Sequence, residues 1–294
     1  TTIPVRGGRT ETVELRQHLP DTPVVASADI WPEMREYERA LVTALNAYIH
    51  PLMEAYFDRL DRRFGELGIE APLYITANNG GTVSLETARA RPVDTILSGP
   101  ASGVLAATRV GRHDGLITFD MGGTSTDIAI SEKGALEFTH ATMIGDYPLM
   151  LPVVSVSAIG SGGGSIVWSD PQGLLKVGPD SAGADPGPVA YGRGGTRPTM
   201  TDCYLTLGIL DPDNFNDGKM RLDPEAAAAA LEAVGAEMGL GDAVAVAEAA
   251  VRVATARMAT ELRKLLAEKG RDPRGFVLVA YGGAGPTHAG FLAE

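Results

Sequence analysis

The sequence predicts an α/β fold, and two patterns along the chain carry this prediction. Short apolar runs with strand character alternate with segments of helical periodicity, as in proteins that pack helices against a sheet. Between residues 116 and 140, three such runs follow one another closely and indicate an antiparallel meander. The chain has 294 residues, of which 44% are hydrophobic and 21% charged, so it is long enough to bury a sizeable core.

The first 110 residues are predicted to be largely helical, with one short strand. A helical region extends from residue 31 to about 68, and Pro51 is expected to kink or divide it. A short buried strand is predicted at Leu73–Ala77, followed by a turn at Asn78–Gly81. A helix of small residues is expected from Ser98 to about Val110.

The second part of the chain is predicted to contain the meander, an ordered loop wall, two helices and a last strand. Residues 160 to 200 are rich in Gly, Pro, Ser and Asp but include aromatic and aliphatic residues, which favours an ordered loop over a flexible linker. The following two helices have N-cap signals at Asp223 and Asp242. The predicted strands are Leu116–Asp120, Asp127–Ser131, Ala135–His140 and Phe276–Ala280.

Composition excludes several classes of protein. The net charge is −12, and no basic stripe is present to neutralise the phosphates of a nucleic acid. A single cysteine, Cys203, excludes an internal disulfide framework and a cysteine-rich zinc site. No apolar run approaches the roughly 20 residues that cross a bilayer, and no signal peptide opens the chain, so a reducing cytosol is the expected location. The chain lacks an initiating Met and stops within a predicted helix, so we expect the natural protein to be longer.

The strongest chemical signal is the loop from Asp120 to Asp127. An apolar strand ends in Asp120, and two glycines then allow a tight turn whose amides can bind phosphate oxygens. Asp120 is a candidate ligand for Mg²⁺, and Asp127 could orient a water molecule or bind the metal from a second side. An ordinary β-hairpin turn fits the same spacing. The candidate cofactor-binding residues in this loop are Gly122, Gly123, Thr124, Ser125 and Thr126.

Two further glycine-rich loops are candidate binding elements. One connects the last strand to a helix, where glycines allow a ligand to approach the helix N-terminus; its candidate cofactor-binding residues are Gly282, Gly283, Ala284 and Gly285. The other could line a polar substrate pocket with backbone amides; its candidate substrate-binding residues are Gly162, Gly163, Gly164 and Ser165. A structural turn and a flexible surface loop are the respective alternatives.

Isolated polar residues give weaker signals. None of the five histidines has a metal-ligand spacing; His288 lies beside a candidate loop, although a helix residue in the first turn is the simpler interpretation. Cys203 lies at a predicted helix start, where a thiolate would be stabilised, but a small packed thiol is the competing interpretation. Asp202 is predicted to be the N-cap of the same helix.

These motifs resemble those of a known family. The loop Asp120–Asp127 resembles the second phosphate motif of the actin/Hsp70/sugar-kinase superfold, and Gly282–Gly285 resembles its adenosine motif. The runs Gly162–Ile166, Ser181–Pro188 and Tyr191–Thr196 resemble the hydantoinase A/5-oxoprolinase family, and the resemblance extends from about residue 25 to 294.

The resemblance implies a two-lobed, ribonuclease-H-like fold with ATP and Mg²⁺ between the lobes, here truncated at both ends. Residues 1–110 would complete the first lobe, and 111–294 would form the second, with a glycine-rich insertion at about 140–240. Members open cyclic amides such as hydantoins and 5-oxoproline by phosphorylating the amide oxygen, which makes Asp120 and Asp127 the expected catalytic residues. A second large subunit of the hydantoinase B type is the expected partner.

The sequence departs from the family pattern in two respects. No earlier glycine–threonine phosphate loop precedes Asp120, so this chain alone is expected to have little or no ATPase activity. Where many relatives have Asp, His and Cys, this chain has Ser155, Ser157 and Ala190. An ATP-dependent cyclic-amide hydrolase is the leading hypothesis, a ketone carboxylase subunit is its rival, and a nucleotide-gated binding module without small-molecule chemistry is the third.

Overall fold

A computed structural model describes residues 3–5, 15, 17–19 and 22–293 of the chain. The chain divides into two compact units. Unit 1 contains Thr1–Ala106 and Leu136–Ser155, and unit 2 contains Ala107–Ala135 and Val156–Glu294. Residues 136–155 therefore group with unit 1. The assignment of residues 1–110 and 111–294 to two lobes stays a prediction.

Strands and helices alternate through the described residues. The strands are β1 (Ile3–Val5), β2 (Val24–Ala26), β3 (Tyr74–Thr76), β4 (Thr82–Ser84), β5 (Gly115–Met121), β6 (Thr126–Glu132), β7 (Ala135–Leu136), β8 (Phe138–Thr139), β9 (Thr142–Ile144), β10 (Tyr147–Leu149), β11 (Val153–Val154), β12 (Ser157–Ile159), β13 (Ser165–Ser169), β14 (Leu175–Ser181) and β15 (Val277–Tyr281). The α-helices are α1 (Ser27–Ile30), α2 (Glu36–Glu66), α3 (Leu85–Ala90), α4 (Ser98–Gly111), α5 (Met200–Thr206), α6 (Pro224–Met238), α7 (Ala243–Glu268) and α8 (Gly285–Ala293). Short 3₁₀ turns lie at Pro92–Thr95, Val189–Tyr191 and Pro273–Gly275.

The long helix α2 dominates unit 1. It begins at Glu36, later than predicted, and Pro51 lies inside it without dividing it. Its buried side includes Val42 and Phe57, whereas Tyr48 is 84% exposed. Val42, Asn46 and Phe57 therefore mark the buried face of this helix, and Tyr48 lies on its exposed side.

The predicted buried strand near residue 75 is a half-exposed hairpin strand in the structure. β3 pairs antiparallel with β4 through the predicted turn at Asn78–Gly81. Tyr74 is 65% exposed, because this two-stranded ribbon is not the centre of a sheet. The prediction that the strand is buried was wrong, and the prediction of the turn is confirmed.

Unit 2 is built on a mixed sheet in the order β12-β6-β5-β15, with β7 added to β6. β5 pairs antiparallel with β6, and β15 pairs parallel with β5. The predicted meander is confirmed for its first two strands, while the third is divided into β7 and β8. Apolar side chains of β5 and β6, among them Phe119 and Ile128, pack into the main core with helices α5 to α7.

The glycine-rich segment after residue 160 contains a hairpin that the sequence analysis missed. β13 and β14 pair antiparallel with an irregularity between Ser165 and Val167. The Trp168 indole Nε1 donates a hydrogen bond to the carbonyl oxygen of Gly178 at 2.9 Å. The prediction of an ordered rather than flexible segment is confirmed, but the segment contains strands as well as loops.

Three helix starts test the predicted caps. The Asp223 carboxylate accepts from the Ala226 amide at 2.9 Å, and the Asp242 carboxylate accepts from the Val244 amide at 3.0 Å, so both predicted caps are confirmed. Asp202 is not an N-cap, because Thr199 holds that position and Asp202 closes a capping box three residues later.

Candidate functional site

Two loops leave the sheet of unit 2 side by side. The parallel register of β5 and β15 places Asp120 opposite Tyr281, so the loops that follow both strands emerge at the same edge. The Ala284 amide donates to the Met121 carbonyl at 2.8 Å and ties the two loops together. Gly282 has a φ of +82°, and a Cβ there would clash with the Asp120 carboxylate. The structure therefore requires glycine at this position.

The turn between β5 and β6 presents backbone amides to its outer side. Gly122 N donates to Ser125 O at 2.9 Å and closes the turn. Within the described residues, the amides of Gly123 and Thr124 have no hydrogen-bond partner, and both residues are exposed. Two adjacent free amides at a glycine turn are suited to the oxygens of a phosphate. Thr126 differs, because its buried hydroxyl donates to Ser161 O at 2.6 Å.

The triple glycine at residues 162–164 packs directly against this turn. Gly163 N donates to Gly122 O at 2.9 Å, and Gly164 N donates to Gly123 O at 2.6 Å. A Cβ at Gly162 would approach the Gly123 carbonyl group to 2.7 Å, which real side chains do not allow. Gly162 N donates to Ser165 Oγ at 2.8 Å. These three amides are thus engaged within the protein, and the observed role of the triple glycine is to support the turn; a substrate-binding role stays a prediction.

The first turn of α5 in turn holds the triple glycine, a contact that the sequence analysis missed. The amide and the hydroxyl of Thr201 both donate to the Gly163 carbonyl, each at 2.8 Å. The neighbouring Asp202 carboxylate is completely buried and accepts from the Ala190 amide at 2.8 Å. Burial raises the pKa of Asp202, and its hydrogen bonds with Thr199 and the loop amides act in the opposite direction. The hydrogen bonds between Thr201 and Gly163 join residues that are 38 positions apart in the sequence, so no local sequence pattern predicts them.

Two carboxylates face each other below the turn. Asp120 and Asp127 are paired residues in the β5–β6 ladder. Burial raises the pKa of both, and the charge of Asp120 raises the pKa of Asp127 further. Burial also raises the pKa of Tyr281 to about 12. Two carboxylates that repel each other at a partly buried position favour a cation between or beside them.

The residues present fit a nucleotide phosphate with a hydrated magnesium ion. The described part of the chain contains no cluster of three or more His, Cys, Asp or Glu residues suited to a metal. An ion beside Asp120 would therefore take its remaining oxygen ligands from water and phosphate, as Mg²⁺ does at nucleotide sites. The free amides of Gly123 and Thr124 would hold the phosphate oxygens.

His288 and Cys203 belong to the core. His288 is fully buried in the first turn of α8, where its Nδ1 lies 2.8 Å from the Tyr204 hydroxyl and its Nε2 lies 3.3 Å from Thr255 Oγ1. Burial lowers the pKa of His288 to about 4, so the ring is neutral at physiological pH. Cys203 is also fully buried, and burial raises the pKa of its thiol. The packed-thiol interpretation is therefore the correct one.

With this geometry established, the class of protein is that of an α/β protein whose glycine loops meet at one edge of a mixed sheet, and comparison with known proteins gives its family. The chain belongs to the hydantoinase/oxoprolinase family, whose family model matches residues 39–294. This confirms the family resemblance seen in the sequence.

Named relatives include a caprolactamase subunit and a 5-oxoprolinase. The chain is 41% identical to caprolactamase subunit alpha of Pseudomonas jessenii, over 95% of this chain and 41% of that protein. It is 31% identical to 5-oxoprolinase 1 of Arabidopsis thaliana, over 92% of this chain and 23% of that protein. The chain thus spans less than half the length of these relatives.

Solved structures confirm the predicted α/β fold. The nucleotide-free structure of acetone carboxylase superposes with a TM-score of 0.82 and 31% identity, over 96% of this chain and 40% of that one. The ATP-dependent caprolactamase of Pseudomonas jessenii superposes with a TM-score of 0.79 and 38% identity, over 97% of this chain and 42% of that one. Among the described residues, no helix is both long and apolar enough to cross a membrane.

Proposed function

We propose that this chain supplies the phosphate-binding part of an ATP-dependent hydrolase that opens a cyclic amide. The observation that carries the proposal is the meeting of three glycine loops at the turn that follows Asp120, in a chain whose relatives include a caprolactamase and 5-oxoprolinases. The overall reaction would convert a cyclic amide, ATP and two molecules of water to a ring-opened acid, ADP and phosphate; one water opens the amide, and the other accounts for release of the phosphoryl group as phosphate. Phosphorylation of the amide oxygen would make its carbon electrophilic to water.

Each residue of the site has a role in this proposal. MgATP would supply the phosphoryl group, and Mg²⁺ would neutralise charge on the phosphate oxygens. The amides of Gly123 and Thr124 bind phosphate oxygens, and Asp120 orients the hydrated metal. Asp127 orients water or the metal from the opposite strand. A flat ligand would approach the start of α8 beside Gly283, which is exposed and has no neighbour within 4 Å of the position of a Cβ.

A ketone carboxylase is the second candidate. The similarity to acetone carboxylase, with a TM-score of 0.82, favours it specifically. Both activities would use the same phosphate loop, so this part of the chain serves either one. A further large subunit fits both candidates, because relatives bear names such as caprolactamase subunit alpha and acetone carboxylase beta subunit.

Substrate-dependent ATP hydrolysis by the complete protein, together with its partner subunit, tests the proposal. Hydantoin, 5-oxoproline, caprolactam, and acetone with bicarbonate are each added with MgATP, and ADP and the organic product are measured. We expect one of the cyclic amides to stimulate ADP release in equal amount to ring opening. Stimulation only by acetone with bicarbonate would establish the carboxylase instead. If no small molecule stimulates turnover, a nucleotide-gated binding module is the better description.

A further inference from the structure

Three side chains beside the phosphate loop form a row across one face of the unit 2 sheet. Asp127 on β6 pairs with Asp120 on β5, and Asp120 pairs with Tyr281 on β15. Their neighbours along the strands, Phe119 and Ile128, lie on the other face and in the core. Since adjacent strands lie about 4.8 Å apart, Asp120 has a carboxylate on one side and a tyrosine on the other.

The Asp120 carboxylate leans toward β15. Its Oδ1 lies directly against the main chain of Gly282, where a Cβ would overlap with it. The like charge of Asp127 on the opposite strand disfavours a lean in that direction. Repulsion from β6 and the space at Gly282 thus account for the position of the carboxylate across the sheet, but neither determines its position along β5.

The Tyr281 side chain occupies the sheet face behind Asp120. Its hydroxyl forms a hydrogen bond with the side chain of Thr118, two residues before Asp120 on β5. Thr118 is fully buried, and its hydroxyl accepts from the Ala129 amide at 3.2 Å and donates to the Ala129 carbonyl at 3.3 Å. Because the tyrosine starts opposite Asp120 and ends at this fixed hydroxyl, its ring covers the side of Asp120 that is remote from the loops.

This ring limits where the Asp120 carboxylate can lie along β5. A carboxylate that folded back along the strand would meet the ring, whereas the glycine turn begins two residues after Asp120, in the other direction. Burial raises the pKa of Tyr281, the hydrogen bond with Thr118 opposes this rise, and the charges of the two carboxylates add to it. The phenol is therefore neutral at physiological pH and does not compete with Asp120 for a cation.

We propose that Tyr281 is a positioning residue of the phosphate site, whose ring keeps the Asp120 carboxylate at the loop edge for the hydrated metal of MgATP. The inference rests on the proposed function and adds a residue that acts only through Asp120. Removing a partner that orients a metal-binding side chain commonly weakens metal affinity by about 10–100-fold. The loss on removal of the Tyr281 ring should therefore be specific to the metal form of the nucleotide.

Equilibrium binding with and without the metal tests the inference. Calorimetry on the complete protein measures the Kd of MgATP, and of ATP in EDTA, for the wild type, Tyr281→Ala and Tyr281→Phe. We expect Tyr281→Ala to raise the MgATP Kd about tenfold and to leave the ATP Kd within about twofold, because the backbone amides of the turn are unchanged. Tyr281→Phe keeps the ring and should bind MgATP as the wild type does. Tyr74→Ala, at a 65% exposed position in unit 1, is the matched control and should change neither Kd.

A double variant tests whether Tyr281 acts through Asp120. Asp120→Asn removes the charge that the ring positions, so the combination of Asp120→Asn with Tyr281→Ala should bind MgATP as Asp120→Asn alone does. A further loss in the double variant would show that Tyr281 acts independently of Asp120, which overturns the inference. An equal rise of the MgATP and ATP Kd in Tyr281→Ala also overturns it, because a loss of packing alone would weaken both forms alike.

The outcomes separate this inference from the proposed function. If the wild type binds MgATP no more tightly than ATP alone, the metal role in the proposed function fails, and the inference fails with it. If the wild type prefers MgATP and Tyr281→Ala keeps that preference, the inference alone is overturned. Should Tyr281→Ala not fold, Tyr281→Leu, which is too short to reach Thr118, replaces it; an unchanged MgATP Kd there overturns the inference as well.

Discussion

Asp120 is the side chain on which the phosphate site depends most directly. It lies at the end of β5, opposite Asp127, and glycine at 282 is required to leave it room. We predict that Asp120→Asn lowers amide-stimulated ATP turnover at least tenfold, which corresponds to about 1.4 kcal/mol in the barrier, because the neutral amide orients a metal ion poorly. Steady-state kinetics of the complete protein measures the amide-stimulated rate of ATP turnover.

The control for this substitution is Asp217→Asn in the same unit. The Asp217 side chain is 90% exposed and lies 3.8 Å from Lys219, so its loss should not alter turnover. Unchanged kinetics in a folded Asp120→Asn protein would remove Asp120 from the metal site.

The buried His288 leads to a second prediction, which concerns how the free energy of unfolding depends on pH. Its pKa in the folded protein is about 4, below the ordinary value of 6.5, because burial disfavours the charged ring. The unfolded chain therefore binds the proton more strongly between these values, and the free energy of unfolding should fall as pH decreases from 6.5 to 4. We expect this loss to reach roughly 2–3 kcal/mol.

Chemical denaturation of wild type and His288→Gln at pH 7, 6, 5 and 4 isolates this contribution. Carboxylates titrate in both proteins, so the difference between them reports the histidine. Parallel curves across the whole range would show that His288 does not account for acid destabilisation.

At the scale of elements, the first turn of α5 positions the phosphate loop through the triple glycine. Thr201 holds Gly163, and Gly163 holds Gly122, so displacement of the helix start would move the turn that presents the free amides. We predict that Thr201→Val raises the KM for ATP about fivefold with a smaller effect on kcat, since one of two hydrogen bonds to Gly163 is lost. Thr201→Ser should restore the wild-type KM.

Thr260→Val is the matched control for Thr201. The Thr260 hydroxyl bonds only its own helix, at the Ala256 carbonyl, and is exposed. An equal change of KM in both valine variants would mean that loss of a hydroxyl has a general effect, which contradicts a positioning role for Thr201.

Comparison of elements shows what the sequence could predict. β5, β6 and β15 were predictable because each contains a short, mostly apolar run close to a glycine or a charged residue. The β13–β14 hairpin was not, because glycine and proline obscure its alternation and its strands are stabilised by distant contacts such as that between Val167 and Pro198. The buried face of α2 could not be predicted from apolar spacing, because its exposed side carries Tyr48 and Leu52, which are apolar residues at helical spacing.

In the candidate site, too, the local motifs could be predicted from the sequence and the contacts between distant residues could not. The sequence shows the Asp120 loop and the Gly282 loop as separate motifs. The parallel pairing of β5 with β15 places the two loops side by side. The packing of Gly162–Gly164 on the turn could not be read from sequence, because backbone-to-backbone contact leaves only the absence of side chains as a signal.

At the scale of the whole molecule, each of the two units has its own hydrophobic core and its own tryptophan. Val42 and Leu149 belong to the core of unit 1, whereas Phe119 and Met258 belong to that of unit 2. The chain has two tryptophans, Trp31 in unit 1 and Trp168 in unit 2, so fluorescence can follow each unit in turn. All three glycine loops of the phosphate site lie in unit 2.

A ligand that binds only the folded state stabilises the unit that contains its site. We predict that MgATP at 100 times its Kd shifts the Trp168 unfolding transition of this chain by about 2.7 kcal/mol and leaves the Trp31 transition unchanged. Urea titrations of Trp31→Phe and Trp168→Phe, each with and without MgATP, measure the two transitions separately. Equal shifts of both would show that the units unfold as one cooperative body. Magnesium without nucleotide is the control, and it should shift the Trp168 transition much less, because the free amides of Gly123 and Thr124 respond to phosphate and not to the cation.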